Sequence, residues 1–183
     1  MTEAAYISLD NIGNRYEFYN NESFTVPDHS SNHTSIEINI IEILQNLLTG
    51  ENTLPFASNL RLNNATKIVY TYPDLIVFNE QPVFIAQETL TVNNPYLIIE
   101  IFESSNPAYN PSARFDLYQD IPTLKEYLMI DADSKHIIDI SDRGEEWFVQ
   151  QALSEHEGVH SYALNYNFLM ADIYKNIILN AAD

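Results

Sequence analysis

The sequence predicts a single domain of the α/β or α+β class, a mixed β-sheet flanked by helices. Three observations carry that expectation. Residues 34–49 place Ile36, Ile40, Ile43, Leu44, Leu47 and Leu48 at helical spacing. Tyr96 to Phe102 is apolar on both faces apart from Glu100, as a central strand covered by helices should be. Helix signals then alternate with short strand signals along the rest of the chain. At 183 residues, 45% hydrophobic and 12% aromatic, the chain has the length and composition of one folded domain. The expected organisation is one domain over 1–183, with 1–13 a loose leader and the core of the site within 34–140.

The elements follow in order. Tyr16-Glu17-Phe18-Tyr19, Asn20-Asn21 and Ser23-Phe24-Thr25-Val26 read as an N-terminal β-hairpin with a polar two-residue turn. Thr34-Ser35-Ile36-Glu37 matches a capping box opening the first helix, and Thr49-Gly50 provides its stop. Strand-like pieces follow near 57–62 and 67–71, then at Leu75 to Phe78, and 79–94 reads as an extended connection. Asn110 as N-cap with Pro111 at the first helical position predicts a helix to about Gln119. Leu124 to Ile130, His136 to Ile140, Trp147 to Val149 and a stretch near 159–164 read as strands. A closing helix is expected at about 168–181, with Leu169, Ile173, Ile177 and Ile178 on its apolar face.

Composition narrows the chemistry. There is no cysteine, which excludes disulfides, thiolate nucleophiles and cysteine-based metal sites. The first twenty residues lack the basic and apolar regions of a signal peptide, and no apolar run approaches bilayer length, so the expectation is a soluble, cytoplasmic protein. Eight basic against 26 acidic residues give a net charge of −18. Nucleic-acid binders gain affinity by neutralising phosphates with Lys and Arg. DNA as a partner is therefore disfavoured by overall charge and requires a local basic patch or a metal.

One stretch, Tyr72 to Tyr118, concentrates the candidate chemistry. Glu100 lies inside Leu97-Ile98-Ile99-Glu100-Ile101-Phe102, where an unpaired carboxylate costs several kcal/mol to bury. By strand alternation it shares a face with Ile98 and Phe102. Asp74 follows Pro73 at the start of the neighbouring apolar run. If the two strands pair, the carboxylates converge, and two oxygen ligands suit Mg²⁺ or Mn²⁺. Such an ion lowers the pKa of bound water and counters charge at phosphorus. The plainer alternatives are Asp74 as a turn residue and Glu100 as the structural ion-pair partner of Arg114. His136, His156 and His160 show no zinc-ligand spacing and are assigned no metal.

Tyr72-Pro73-Asp74, Asn94-Pro95 before the Glu100 strand, Ser104-Ser105-Asn106-Pro107-Ala108-Tyr109, Phe115-x-x-Tyr118 and Leu124-x-Glu126-Tyr127-Leu128-x-Ile130-Asp131 resemble the Uma-type restriction endonucleases. These form a bacterial family within the PD-(D/E)xK nuclease superfamily. Tyr16-Glu17, His33 and Ala171-Asp172-Ile173-Tyr174 extend the resemblance over most of the chain. It implies a restriction-endonuclease-like core with Asp74 and Glu100 as metal ligands. The superfamily's lysine, usually two residues after the Glu, is here Phe102; the Uma-type pattern implies that Arg114 occupies the equivalent place on the next helix. Outer candidates are Glu22 in the hairpin, Glu37 as an acid or a capping residue, His33 near substrate, and Tyr118 orienting Arg114. Pairing into a homodimer, with an aromatic such as Trp147 at the contact, is expected by the same analogy.

Arginine at the lysine position divides the functional expectation. A desolvated lysine can lose its proton and activate water, whereas arginine remains protonated. Arg114 could hold the scissile phosphate of a Mg²⁺-dependent DNA endonuclease. It could equally stand in for the metal's charge in an inactive nuclease-fold protein that acts through self-association or a protein partner.

Overall fold

Two β-sheets organise the chain in the computed structural model, which describes residues 1–10, 15–26, 28–49, 54–85, 90–106 and 110–179. The larger sheet has six strands: β3 (Phe56–Ser58), β6 (Leu75–Val77), β8 (Leu97–Phe102), β9 (Glu126–Asp131), β10 (Ile137–Asp142) and β11 (Trp147–Ala152). Their spatial order is β11-β10-β9-β8-β6-β3. It is a mixed sheet, with β8 and β9 parallel and the other pairings antiparallel. The second sheet, β2-β1-β5-β4-β7, is built from β1 (Tyr16–Tyr19), β2 (Glu22–Thr25), β4 (Arg61–Asn64), β5 (Val69–Thr71) and β7 (Thr91–Val92). A separate hairpin, β12 (Gly158–Ser161) with β13 (Tyr166–Leu169), lies against β10 and β11.

Alternation along the central strands sends side chains into two cores. Leu75, Val77, Leu97, Ile99, Leu128 and Ile130 pack with α2 (Ser31–Leu47) and the β12–β13 hairpin. Ile76, Ile98, Phe102, Tyr127 and Met129 pack on the opposite face, beneath α3 (Pro111–Tyr118). Glu100 therefore emerges on the α3 face, sharing it with Ile98 and Phe102 as period two requires. α3 begins as expected, with the Asn110 side chain accepting from the Ala113 amide and Pro111 in the first turn.

The N-terminal hairpin forms with the expected turn. Asn20 and Asn21 take left-handed conformations, φ 54° and 60°, which a two-residue primed turn requires and asparagine tolerates. Preceding it, the stretch expected as a loose leader contains a helix, α1 (Glu3–Asp10). Its Tyr6 is fully buried, stacks on Phe18 with centroids 5.1 Å apart, and donates to the Tyr16 carbonyl at 2.7 Å. This docking is tertiary, so no local capping pattern announces it.

Two helix boundaries differ from the sequence expectation. α2 starts three residues before the capping-box match, because Ser30 is the N-cap and its hydroxyl accepts from the His33 amide at 3.2 Å. Glu37 is consequently a second-turn residue, not a cap. Gly50 lies outside the described residues. The closing helix shortens to α4 (Met170–Ile173) followed by turns. The Asn39 side-chain amide donates to the carbonyls of Ile173 and Lys175, at 2.9 and 3.0 Å, and Asn176 turns left-handed at φ 62°. Helical continuation would need those carbonyls for itself, and Ile178 ends up exposed rather than on an apolar helix face. The expected extended connection over 79–94 carries β7 and a bridge between Phe84 and Val92, with 86–89 outside the described residues.

Candidate active site

Antiparallel pairing of β6 with β8 sets Leu75 opposite Ile99. Carried one residue further, that register puts Asp74 across from Glu100, where facing side chains lie on the same side of a sheet. Asp74 is held there by its Oδ2, which accepts from the Ile101 amide at 2.7 Å. Both acids, together with Glu17, His29, His33 and Arg114, line one cavity of about 490 Å³. The structure thus brings together Asp74, Glu100 and Arg114, as the sequence reading anticipated.

Arg114 is the hub of the Glu100 side. Its Nη1 and Nη2 donate to the two oxygens of Glu17 at 2.7 and 3.0 Å, a bidentate fork. Its Nε donates to Glu100 Oε2 at 3.2 Å, and Nη2 also donates to Glu100 Oε1. Tyr118 donates to Oε1 at 2.6 Å, with Thr71 Oγ1 3.1 Å from the same phenol, and Tyr127 donates to Oε2. A carboxylate offers about four acceptor positions, and on Glu100 these four donors occupy them. Burial alone would raise the Glu100 pKa; the Arg114 charge and the hydrogen bonds from Arg114, Tyr118 and Tyr127 outweigh it and hold the carboxyl below its usual value. Burial likewise opposes the charge on Arg114, but Glu100, Tyr118 and Glu17 keep its pKa well above the ordinary guanidinium value.

The Asp74 side is arranged differently. His33, on the buried stripe of α2 with Ile36, Ile40 and Leu44, sets its Nε2 3.2 Å from Asp74 Oδ1. That is ion-pair distance without hydrogen-bond alignment, and Nδ1 finds no hydrogen-bond partner among the described residues. The His29 ring stacks on His33, centroids 3.8 Å apart. Burial opposes protonation of His33, yet Asp74 alongside, with Glu37 and Glu103 farther off, raises its pKa above the usual imidazole value. For His29, burial and the neighbouring His33 lower the pKa. His29, His33 and Asp74 each offer a ligand atom within 4.8 Å of the others, a group of the kind that can hold a metal ion.

The outer candidates separate. Tyr118 touches both Glu100 and Arg114, and His33 meets Asp74. Glu22 is exposed at the start of β2 and is not among the residues lining the cavity. Glu37 stands near enough to Asp74 that burial first, and the Asp74 charge second, raise its carboxyl pKa. Glu103, which adds an acid beside the site, accepts from the Ser30 amide at 3.1 Å at the start of α2. Glu17, His29 and Tyr127 were not singled out as site residues. Glu17 was legible as an acid alternating with the buried Phe18 in a short aromatic strand, and His29 as a second histidine four residues before His33. Trp147 is half-buried and packs edge-on against Phe115, ring centroids 5.0 Å apart.

The remaining cations are engaged within the chain. Lys67 pairs with Asp120 at 2.8 Å, Lys125 with Asp142 at 2.6 Å and Lys135 with Glu155 at 3.0 Å, while Lys175 lies 3.9 Å from Glu42. Arg15, Arg61 and Arg143 lie over aromatic rings. No helix among the described residues is long and apolar enough to cross a membrane.

Comparison with known proteins bears on the same residues. The family model Uma2, described as "Putative restriction endonuclease", matches residues 3–166. An uncharacterised protein of Synechocystis sp. (strain ATCC 27184 / PCC 6803 / Kazusa), sll1609, is 29% identical over 159 residues, covering 85% of this chain and 89% of its own length. A second from that organism, slr1290, is 25% identical over 123 residues, 67% of this chain and 64% of its own. The crystal structure of a putative nuclease belonging to DUF820 from Anabaena variabilis ATCC 29413 superposes with a TM-score of 0.75 at 13% identity, covering 95% of this chain and 97% of that one, which is a likeness of fold. With the match running through the hairpin, both acids and Arg114, the chain belongs to the Uma2 family of restriction-endonuclease-like proteins.

Proposed function

We propose that this protein is a divalent-metal-dependent nuclease that hydrolyses DNA phosphodiester bonds in the cavity holding Asp74, Glu100 and Arg114. The observation that carries this reading is the convergence of those three side chains, from the residue before β6, from β8 and from α3, on one cavity in a chain of this family.

The residues fit a metal unequally. An ion bridging Asp74 and Glu100, Mg²⁺ or Mn²⁺ by ligand type, meets no open oxygen on Glu100, whose acceptor positions are taken by Arg114, Tyr118 and Tyr127. The bridging pair does not fit as arranged. Asp74 does, with one oxygen turned toward His33 at the edge of the cavity. A divalent ion held there supplies a lowered pKa for its water and a counter-charge at phosphorus. Arg114 is the phosphate-binding group: its planar fork can exchange the Glu17 carboxylate for a phosphate of similar geometry. It stays protonated, so it positions and stabilises without acting as a base.

A second reading, a nuclease fold without cleavage that works through self-association or a protein partner, is favoured by the saturation of Glu100 by Arg114, Tyr118 and Tyr127 and the pairing of Glu17 with Arg114. Incubating supercoiled plasmid with the protein and, in turn, Mg²⁺, Mn²⁺ or Co²⁺ tests the choice. Nicking by the natural protein that disappears in Asp74→Ala supports the nuclease; no nicking, or nicking that survives the substitution, overturns it. Arg114→Lys separates the readings further, since a gain of cleavage marks the natural protein as an impaired nuclease.

A further inference from the structure

We propose that His29, His33 and Asp74 form a binding site for a borderline transition ion of the Zn²⁺, Co²⁺ or Ni²⁺ class, in preference to Mg²⁺. The proposal deepens the nuclease reading and rests on it for the use of the ion; the binding itself can be tested alone.

Three observations support it. First, the 3.2 Å between His33 Nε2 and Asp74 Oδ1 is already the spacing of two adjacent donors around an ion with bonds of about 2.1 Å. An ion placed between them would take the position of the proton that an ion pair shares. The third donor lies within 4.8 Å, and His29, being exposed, can rotate to close the shortfall. Second, His33 is 2% exposed and its ring lacks an aligned hydrogen bond among the described residues. Buried polar atoms are normally satisfied, and here the imidazole, on a rigid helix start, has the Asp74 carboxylate at ion-pair distance as its polar contact, an arrangement that an ion between the two would complete. Third, the two ends of the cavity differ in charge. Arg114 offsets Glu17 and Glu100 at one end, whereas around His33 at the other the acids Asp74, Glu37 and Glu103 outnumber Arg15, the cation that acts on His29 and Glu37. A dication is favoured at the more acidic end.

The donor set decides the ion. Two imidazoles and one carboxylate suit Zn²⁺, Co²⁺ and Ni²⁺, while Mg²⁺ prefers oxygen and retains most of its water.

The test is isothermal titration of the tag-free full chain with CoCl₂ and, separately, MgCl₂, with visible absorption recorded during the Co²⁺ titration. The expected result is one equivalent of Co²⁺ bound, with absorption bands that signal imidazole ligation and persist in a large excess of Mg²⁺. His29→Gln, at an exposed position that should leave folding intact, lowers the Co²⁺ affinity by at least about tenfold, the scale seen when only an outer-shell partner is lost. His156→Gln, at an exposed histidine elsewhere, leaves it unchanged. Co²⁺ binding unaffected by His29→Gln, or Mg²⁺ binding as tight as Co²⁺, overturns the site and leaves an ordinary His33–Asp74 ion pair. Loss of Co²⁺ binding in His29→Gln without nicking by the natural protein keeps the metal site and removes the nuclease reading. Nicking together with unchanged Co²⁺ affinity in that variant does the reverse.

Discussion

Glu100 and Asp139 are buried carboxyl groups on opposite faces of the same sheet, 4% and 0% exposed, and the protein treats them in opposite ways. On the α3 face, Glu100 is kept charged by Arg114 and two tyrosine hydroxyls. On the α2 face, Asp139 faces a second buried acid, Glu126, with Gln150 donating to its Oδ2 at 3.0 Å and the Ala163 amide donating to Glu126 Oε2 at 2.8 Å. Burial, then the Glu126 charge, pushes the Asp139 pKa to about 9, so the pair shares a proton at neutral pH. A neutralised acid pair fastens β9, β10 and β12–β13 together. A charged acid beside a guanidinium, opening on a cavity, leaves an electric field that a ligand can use. Burial of an acid is therefore a weak pointer to function; what neutralises it, and whether the result faces space, is the stronger one.

The largest expected effect breaks the charged arrangement. Arg114→Ala leaves Glu17 and Glu100 with an uncompensated buried charge and should cost about 3–5 kcal/mol, read from the urea midpoint at neutral pH. A loss below about 1 kcal/mol would mean that Arg114 is not what holds Glu100 ionised, and the contrast with Asp139 would fall. Tyr127→Phe is a smaller cut. It removes one donor to Glu100 Oε2 while keeping the ring that lies edge-on to Tyr118 at 5.4 Å. The expected cost is about 1–3 kcal/mol, that of a buried acceptor left short of a partner. A neutral result would show that Arg114 alone suffices.

Much of this architecture was legible because local chemistry and fold agree. Glu100 stood out as the one charge in an apolar strand, Asn110-Pro111 announced α3, and Asn20-Asn21 announced the hairpin turn. Arg114, one turn into α3, followed from the resemblance to the Uma-type pattern, which sets a cation there. Features decided by distant partners were not legible. α1 is fixed by Tyr6 docking on Phe18, and α4 stops where Asn39 reaches across from α2. The start of α2 offered the Thr34–Glu37 pattern, whereas the structure caps the helix with Ser30, whose amide the Glu103 carboxylate ties to the end of the sheet. Glu17 and His29 carry only weak local signals, an acid in an aromatic strand and a histidine four residues before His33; the closure of the hairpin over β5 and the stacking on His33 bring them into the site. Likewise nothing local pairs Glu126 with Asp139, since they lie on different strands and meet because Glu126 registers with Ser141, two residues along the same face.

The pH dependence has the clearest sign. Asp139 has a folded-state pKa of about 9 against an ordinary 3.8, so its contribution to stability is fully present below about pH 4 and is lost as pH rises toward 9. Glu100, held below its ordinary 4.5, contributes above that value and loses the contribution as pH falls through the lowered pKa. The two slopes oppose each other. Asp139→Asn reproduces the protonated form at every pH, since its amide can donate to Glu126 while its oxygen still accepts from Gln150. Arg143, whose charge favours the ionised acid, loses little by the change. The variant should match the natural protein near pH 4. At pH 8 it should be more stable by at least about 1 kcal/mol, which is a Tm increase of at least about 2–4 °C for a chain of this length. Thermal melts at both pH values check this. A variant destabilised equally at both would show that Asp139 is buried as a paired anion, and the two faces of the sheet would then handle their acids alike.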